Sequence, residues 1–170
     1  MPLSATDLAT LGGTPITILS TFFAKVYLRM DGTGVTTGTD NGSGKVNCQY
    51  TARPWENFKV HAQTDGSYSF ESAAFPNVYL RMDGTGVPTT GAGGGTVNCQ
   101  FGPPGPYEKF KVRAQADGSV SFESTAFPNI FLRLIGSGVT TFTGTGGGLV
   151  NCQLNANGGG NESFFLNLGA

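Results

Sequence analysis

A chain of 170 residues has room for one domain with a sizeable core and, lacking any visible linker, not for two. Only 12% of its residues are charged and the formal net charge is -1, so no broad basic field is available to draw phosphate backbones or anionic lipid, and nucleic acid is excluded as a partner. Beside 38% hydrophobic residues, 27 glycines and 9 prolines fit an all-β protein rich in turns better than a disordered chain.

Met1 to Thr10 carries neither a basic segment nor an apolar run of signal-peptide length, and no later stretch approaches a membrane span. The expectation is a protein with no membrane insertion, cytoplasmic or secreted by a non-classical route. Thr14 to Thr21 is the first predicted strand. Val26 to Val35 follows, with Val26, Leu28 and Met30 alternating against Tyr27 and Arg29. A Gly-rich turn leads to Val46-Asn47-Cys48-Gln49, then Glu56 and a strand with Phe58, Val60 and Ala62 on one face, then a strand over Ser67 to Ser72.

The chain then repeats itself. Val26 to Val35 returns nearly verbatim as Val78 to Val87 and more loosely as Ile130 to Val139, and Arg29, Arg81 and Arg133 are spaced by 52 residues both times. The Val-Asn-Cys-Gln phrase recurs at Val97 and Val150, the Glu-x-Phe phrase at Glu108 and Glu162, and Ser67 to Ser72 returns as Ser119 to Ser124. The third unit lacks that last phrase at its C-terminus. Thr14 to Thr21 stands to Phe23 as Phe70-Glu71-Ser72 stands to Phe75, so the first strand is expected to close the last unit. Four strands in each of three units make twelve, separated by Asp-Gly, Asn-Gly, Gly-Gly and Pro-Gly turns, with no helical pattern of useful length. That arithmetic predicts a β-trefoil with pseudo-threefold symmetry: one domain over 1–170, with repeats at about 22–73, 74–125, and 126–170 plus 14–21. A three-bladed propeller is the architectural rival, but propellers typically carry four or more blades.

A symmetric core requires equivalent apolar residues whatever the protein does, which accounts for Leu28, Leu80 and Leu132, for Phe58, Phe110 and Phe164, and for Phe70 with Phe122. Cys48, Cys99 and Cys152 cannot all pair within the chain and have no His or Cys at zinc spacing, so they read as reduced core thiols, with no metal and no cofactor. Informative positions are the polar ones that repeat on the face expected to meet solvent. Asn47, Asn98 and Asn151 recur with Gln49, Gln100 and Gln153, amides that both donate and accept, as the vicinal hydroxyls of a sugar require; stabilising the Gly-rich turns is the alternative. Asp31 and Asp83 sit at the mouths of those turns, where a carboxylate fixes hydroxyls or closes an Asx turn. Trp55 and Tyr107 are equivalent aromatics that either stack on a sugar ring or pack under the Pro-rich loops. Arg29, Arg81 and Arg133 are expected to pair across strands with Glu71 and Glu123. His61 is the only histidine and no Ser or Cys has a recognisable base, so the chain is not read as an enzyme.

Glu56-Asn57-Phe58, Asp65-Gly66-Ser67 and Asn77-Val78-Tyr79-Leu80, each repeated, resemble the fascin-like branch of β-trefoil sequences over nearly the whole chain. The branch contains actin-bundling proteins as well as relatives of carbohydrate-binding domains. The Gln-x-Trp signature of ricin-type lectins is missing, because Gln49, Gln100 and Gln153 precede Tyr50-Thr51, Phe101-Gly102 and Leu154-Asn155. A free-standing, Gly- and Asn-rich trefoil of low charge is also similar to small mushroom lectins, several of which favour galactose or N-acetylgalactosamine. The resemblance implies a fungal-type hemagglutinin: a multivalent lectin with up to three equivalent sites, glycans or glycoproteins as partners, and possible homo-oligomers. Actin bundling, other protein binding and protease inhibition are the alternatives.

Overall fold

In the computed structural model the described residues are 2–39 and 41–169; Met1, Asp40 and Ala170 lie outside them. Twelve antiparallel strands follow in chain order: β1 (Ile16–Ser20), β2 (Val26–Asp31), β3 (Lys45–Tyr50), β4 (Asn57–Ala62), β5 (Tyr68–Ser72), β6 (Val78–Asp83), β7 (Thr96–Phe101), β8 (Phe110–Ala114), β9 (Val120–Ser124), β10 (Ile130–Ile135), β11 (Leu149–Leu154) and β12 (Phe164–Leu168). Short 3-10 turns cover Ala5–Thr10, Pro54–Glu56, Pro106–Glu108 and Gly160–Glu162. Among the described residues no helix is long and apolar enough to cross a membrane.

Six strands pair in a closed ring, β1 with β4, β4 with β5, β5 with β8, β8 with β9, β9 with β12 and β12 with β1, which leaves the barrel no free edge. The hairpins β2–β3, β6–β7 and β10–β11 cap one end. This is a β-trefoil, and its first strand closes the last unit as expected: β1 lies along β12 over five residue pairs, as β5 lies along β4. Sequence equivalence persists to single hydrogen bonds. The hydroxyls of Ser20, Ser72 and Ser124 each accept from the two amides two and three residues on, ending at Phe23, Phe75 and Phe127.

The period-two alternation of each barrel strand turns one side chain in two to the axis. Ile18, Phe58, Phe70, Phe110, Phe122 and Phe164 are fully buried there. Burying each such side chain contributes about 1.5–3 kcal/mol, opposed by the entropy of ordering the chain.

The three hairpins interlock in a cycle. Ser43, in the first hairpin loop, exchanges both backbone hydrogen bonds with Cys99 of the second hairpin; Gly94 does so with Cys152 of the third, and Gly147 with Cys48 of the first. The three cysteines therefore lie where the hairpins meet. They are free and buried, and each thiol donates to a backbone carbonyl of a neighbouring repeat, Ile135, Asp31 or Asp83, at 3.7–3.8 Å. Burial pushes all three thiols up to about 12, in keeping with core thiols.

Candidate functional site

Asn47 and Gln49 are buried, not turned to solvent, and this corrects the expected solvent face of the Val-Asn-Cys-Gln strands. The physical reason is the interlocked cap: the outer face of each hairpin is covered by the loop of the preceding repeat. Gln49 Nε2 donates to the Thr143 carbonyl at 2.6 Å, and the Thr143 amide donates to Gln49 Oε1 at 3.2 Å. Gln100 clasps the backbone of Thr39 in the same way. Asn47 Nδ2 donates to the Thr145 carbonyl and Asn98 Nδ2 to that of Asn41. On the other side, Asn47, Asn98 and Asn151 accept from Arg29, Arg81 and Arg133 at 3.1–3.2 Å.

Those arginines do not pair with Glu71 and Glu123, which is a second correction. Glu71 binds His61 at 2.8 Å and Glu123 binds Arg113 at 2.7 Å across their own hairpins. The repeated arginines reach instead to the 3-10 turns, with Nε 4.0 Å from Glu56, 3.8 Å from Glu108 and 3.7 Å from Glu162. All three glutamates are buried. Each follows the position of Trp55, Tyr107 or Asn161, so two arginines lie under an aromatic ring: Arg29 is 4.7 Å from the Trp55 centroid and Arg81 5.1 Å from that of Tyr107. Trp55 and Tyr107 rest in turn on Phe75 and Phe127.

Around each Arg–Glu pair a cleft opens between the 3-10 turn and the preceding repeat's hairpin loop. The first, about 210 Å³, is walled by Trp55, Pro54, Arg53 and Phe142, with the Arg53 guanidinium 3.9 Å from the Phe142 ring centroid. The second, about 270 Å³, lies between Thr39, Gln100, Pro106 and Tyr107. The third, about 470 Å³, includes Phe22, Gln153, Asn161 and Arg133. Each sets guanidinium donors and carboxylate acceptors beside an apolar wall. Of the candidate residues, Trp55 and Tyr107 wall the first two clefts; Phe22, Arg53, Phe142 and the Arg–Glu floor were not among the candidates, and the repeated Glu-x-Phe phrase was the available signal for the floor.

Asp31 and Asp83 form Asx turns, each Oδ1 accepting from the amide of Thr33 or Thr85 at 3.0 Å, with Oδ2 4.0 and 3.7 Å from Arg29 and Arg81. The Thr85 hydroxyl and amide, aided by Arg81, hold the Asp83 carboxyl below its ordinary range. Hydrogen bonds from the Ser67 and Ser119 hydroxyls and amides do the same for Asp65 and Asp117.

The buried glutamates titrate in the opposite sense. Burial pushes Glu56 up to about 7 against the opposing Arg53 amide and the charges of Arg29 and Arg53, and it also raises Glu108 and Glu162. Their raised folded-state values mean that the stabilisation by bound protons is full below the ordinary 4.5 and is lost as pH rises above it, for Glu56 through about 7. The lowered aspartates contribute stability above the ordinary 3.8 that is lost in acid. Unfolding by urea should therefore show a stability maximum near pH 4.5–5 and a decline toward pH 7.5. Glu56→Gln should shrink that decline by roughly 1–3 kcal/mol. Stability that climbs steadily to pH 7.5 would contradict the assignment.

No family model matches the sequence, and no curated protein does. Solved structures share its fold at low identity. A mosquitocidal holotoxin superposes with a TM-score of 0.70 at 9% identity over 94% of this chain, which spans 18% of the toxin. A Polyporus squamosus lectin bound to a human-type influenza-binding epitope, Neu5Acα2-6Galβ1-4GlcNAc, superposes at 0.62 with 17% identity over 92% of this chain, which spans 49% of that lectin. The C-half of an earthworm R-type lectin in complex with GalNAc superposes at 0.55 with 15% identity, covering 92% of this chain and 99% of that one.

Proposed function

We propose that the protein is a carbohydrate-binding lectin that takes galactose- or N-acetylgalactosamine-type glycans in the three clefts. The observation that carries the reading is the recurrence, three times on one rigid body, of a partly buried Arg–Glu floor beside an apolar wall. A pyranose offers the complement, hydroxyls that donate and accept on its rim and an apolar C–H face for a ring such as Trp55 or Tyr107. Sugar-bound structures of the same fold, one with GalNAc and one with a galactose-containing epitope, support it. Asp31 and Asp83 lie outside the cleft linings and act through Arg29 and Arg81, while Gln153 lines the third cleft with a further amide. Asn47, Asn98 and Asn151 act one step back, orienting the arginines, while Gln49 and Gln100 fix the loops that form the cleft walls.

A single such cleft binds with a Kd on the order of millimolar, about -4 kcal/mol, and three on one body gain orders of magnitude on a clustered surface. The basic faces an actin-bundling module requires are thin here, because Arg29, Arg81, Arg113 and Arg133 are already engaged with carboxylates. A glycan array with the folded protein tests the reading. The expected result is binding to galactose- or GalNAc-terminated glycans that the free sugar competes away; an array with no bound glycan overturns it.

A further inference from the structure

The three clefts differ, and every difference favours the third. Loop 84–95, which covers the third cleft, is one residue shorter than loops 32–44 and 136–148, which cover the second and the first. Thr39 and Thr143 clasp Gln100 and Gln49, but among the described residues Gln153 has no such clasp, and its buried Oε1 has no hydrogen-bond partner there. An amide left so costs free energy, and rotation about its soft terminal torsion brings either end to the cleft. Arg133 is 14% exposed against 3% for Arg29 and Arg81, because Asn161 stands where Trp55 and Tyr107 cover the other two.

The rim departs from the repeat as well. Ala74-Phe75-Pro76-Asn77 and Ala126-Phe127-Pro128-Asn129 correspond to Phe22-Phe23-Ala24-Lys25. Phe22 is 69% exposed and meets Phe23 edge-on, centroids 4.9 Å apart. Lys25 holds the left-handed conformation, φ 60°, that Asn77 and Asn129 adopt at 64°. Those two asparagines are anchored by amide hydrogen bonds to Glu71 and Glu123, whereas Leu19 occupies the corresponding strand position and supplies no carboxylate. The repeat's turn accounts for the left-handed Lys25, but Phe22, which lines the third cleft, keeps most of its ring in solvent.

We infer that the third cleft is the principal site, binding a neutral pyranose whose C–H face lies on Phe22 while a hydroxyl or acetamido N–H donates to Gln153 and Arg133 donates to the ring substituents. This rests on the lectin reading and ranks its clefts. The test is an NMR titration with N-acetylgalactosamine and, separately, galactose, reading the side-chain amides of Gln49, Gln100 and Gln153. Gln153 should shift and saturate at a concentration about tenfold lower than the other two, and Phe22→Ala should weaken that site about tenfold with thermal unfolding unchanged. Gln49 or Gln100 shifting at the same or lower concentration overturns the ranking and leaves the lectin reading standing, as does a Phe22→Ala protein of undiminished affinity. No shift at any of the three with either sugar counts against both.

Discussion

Phe122→Ala is expected to lower the free energy of unfolding by about 3–5 kcal/mol, the largest effect of any side-chain truncation in the barrel. Phe122 is fully buried and its ring meets Phe70 edge-on at 5.2 Å, Phe164 at 5.5 Å and Phe110 at 6.5 Å. Strands β5, β8, β9 and β12 all contribute to that cluster, so the cavity cannot close by the shift of one strand. Urea titration gives the number directly, and Phe22→Ala supplies the contrast: its ring is mostly exposed, and truncation should stay within about 0.5 kcal/mol. A Phe122→Ala protein that loses less than about 1 kcal/mol would mean that the aromatic cluster is not the core.

Gly148→Ala should cost roughly 2–5 kcal/mol, because it strikes the interlock of the hairpins. At φ +67° the residue is left-handed, and an added Cβ would stand 2.6 Å from the Ile135 carbonyl oxygen and 2.7 Å from Cys48 Sγ. The left-handed backbone contributes about 1–2 kcal/mol of that cost and overpacking about 1–3 kcal/mol. Gly44 and Gly95 stand in the same relation to Cys99 and Cys152, so the requirement is a property of the threefold cap. Gly66 separates the two terms: its φ is +86°, but a Cβ there meets nothing within 4 Å. Gly66→Ala should therefore cost only the backbone part, about 1–2 kcal/mol. Equal losses in the two variants would argue that the cysteine contact is loose.

What the sequence made legible follows from periodicity. Alternation at Val26, Leu28 and Met30 and its recurrence at Val78 and Ile130 gave the strands, and the likeness of Thr14–Thr21 to the Ser67–Ser72 phrase gave the closure of the barrel by β1 and β12. The same rule failed at Asn47 and Gln49. Period-two patterning says that two side chains share a face, but it cannot say that a loop nearly a hundred residues away in the chain covers that face. Nor does it show that Arg29 meets Glu56 rather than Glu71, since that contact depends on how the 3-10 turn folds back over β2. The third cleft was not legible, because Asn161 in place of an aromatic and Phe22 in place of an alanine lie far apart in the chain; the structure makes those two departures neighbours.

Equilibrium binding of the folded chain to immobilised galactose- and GalNAc-terminated glycans, set beside the triple variant Phe22→Ala, Trp55→Ala, Tyr107→Ala, decides whether the three clefts bind sugar. Saturable, sugar-competed binding by the parent chain and its loss in a triple variant that still unfolds cooperatively is the expected result. Binding of equal strength by that variant would place the glycan elsewhere on the molecule and rule the clefts out.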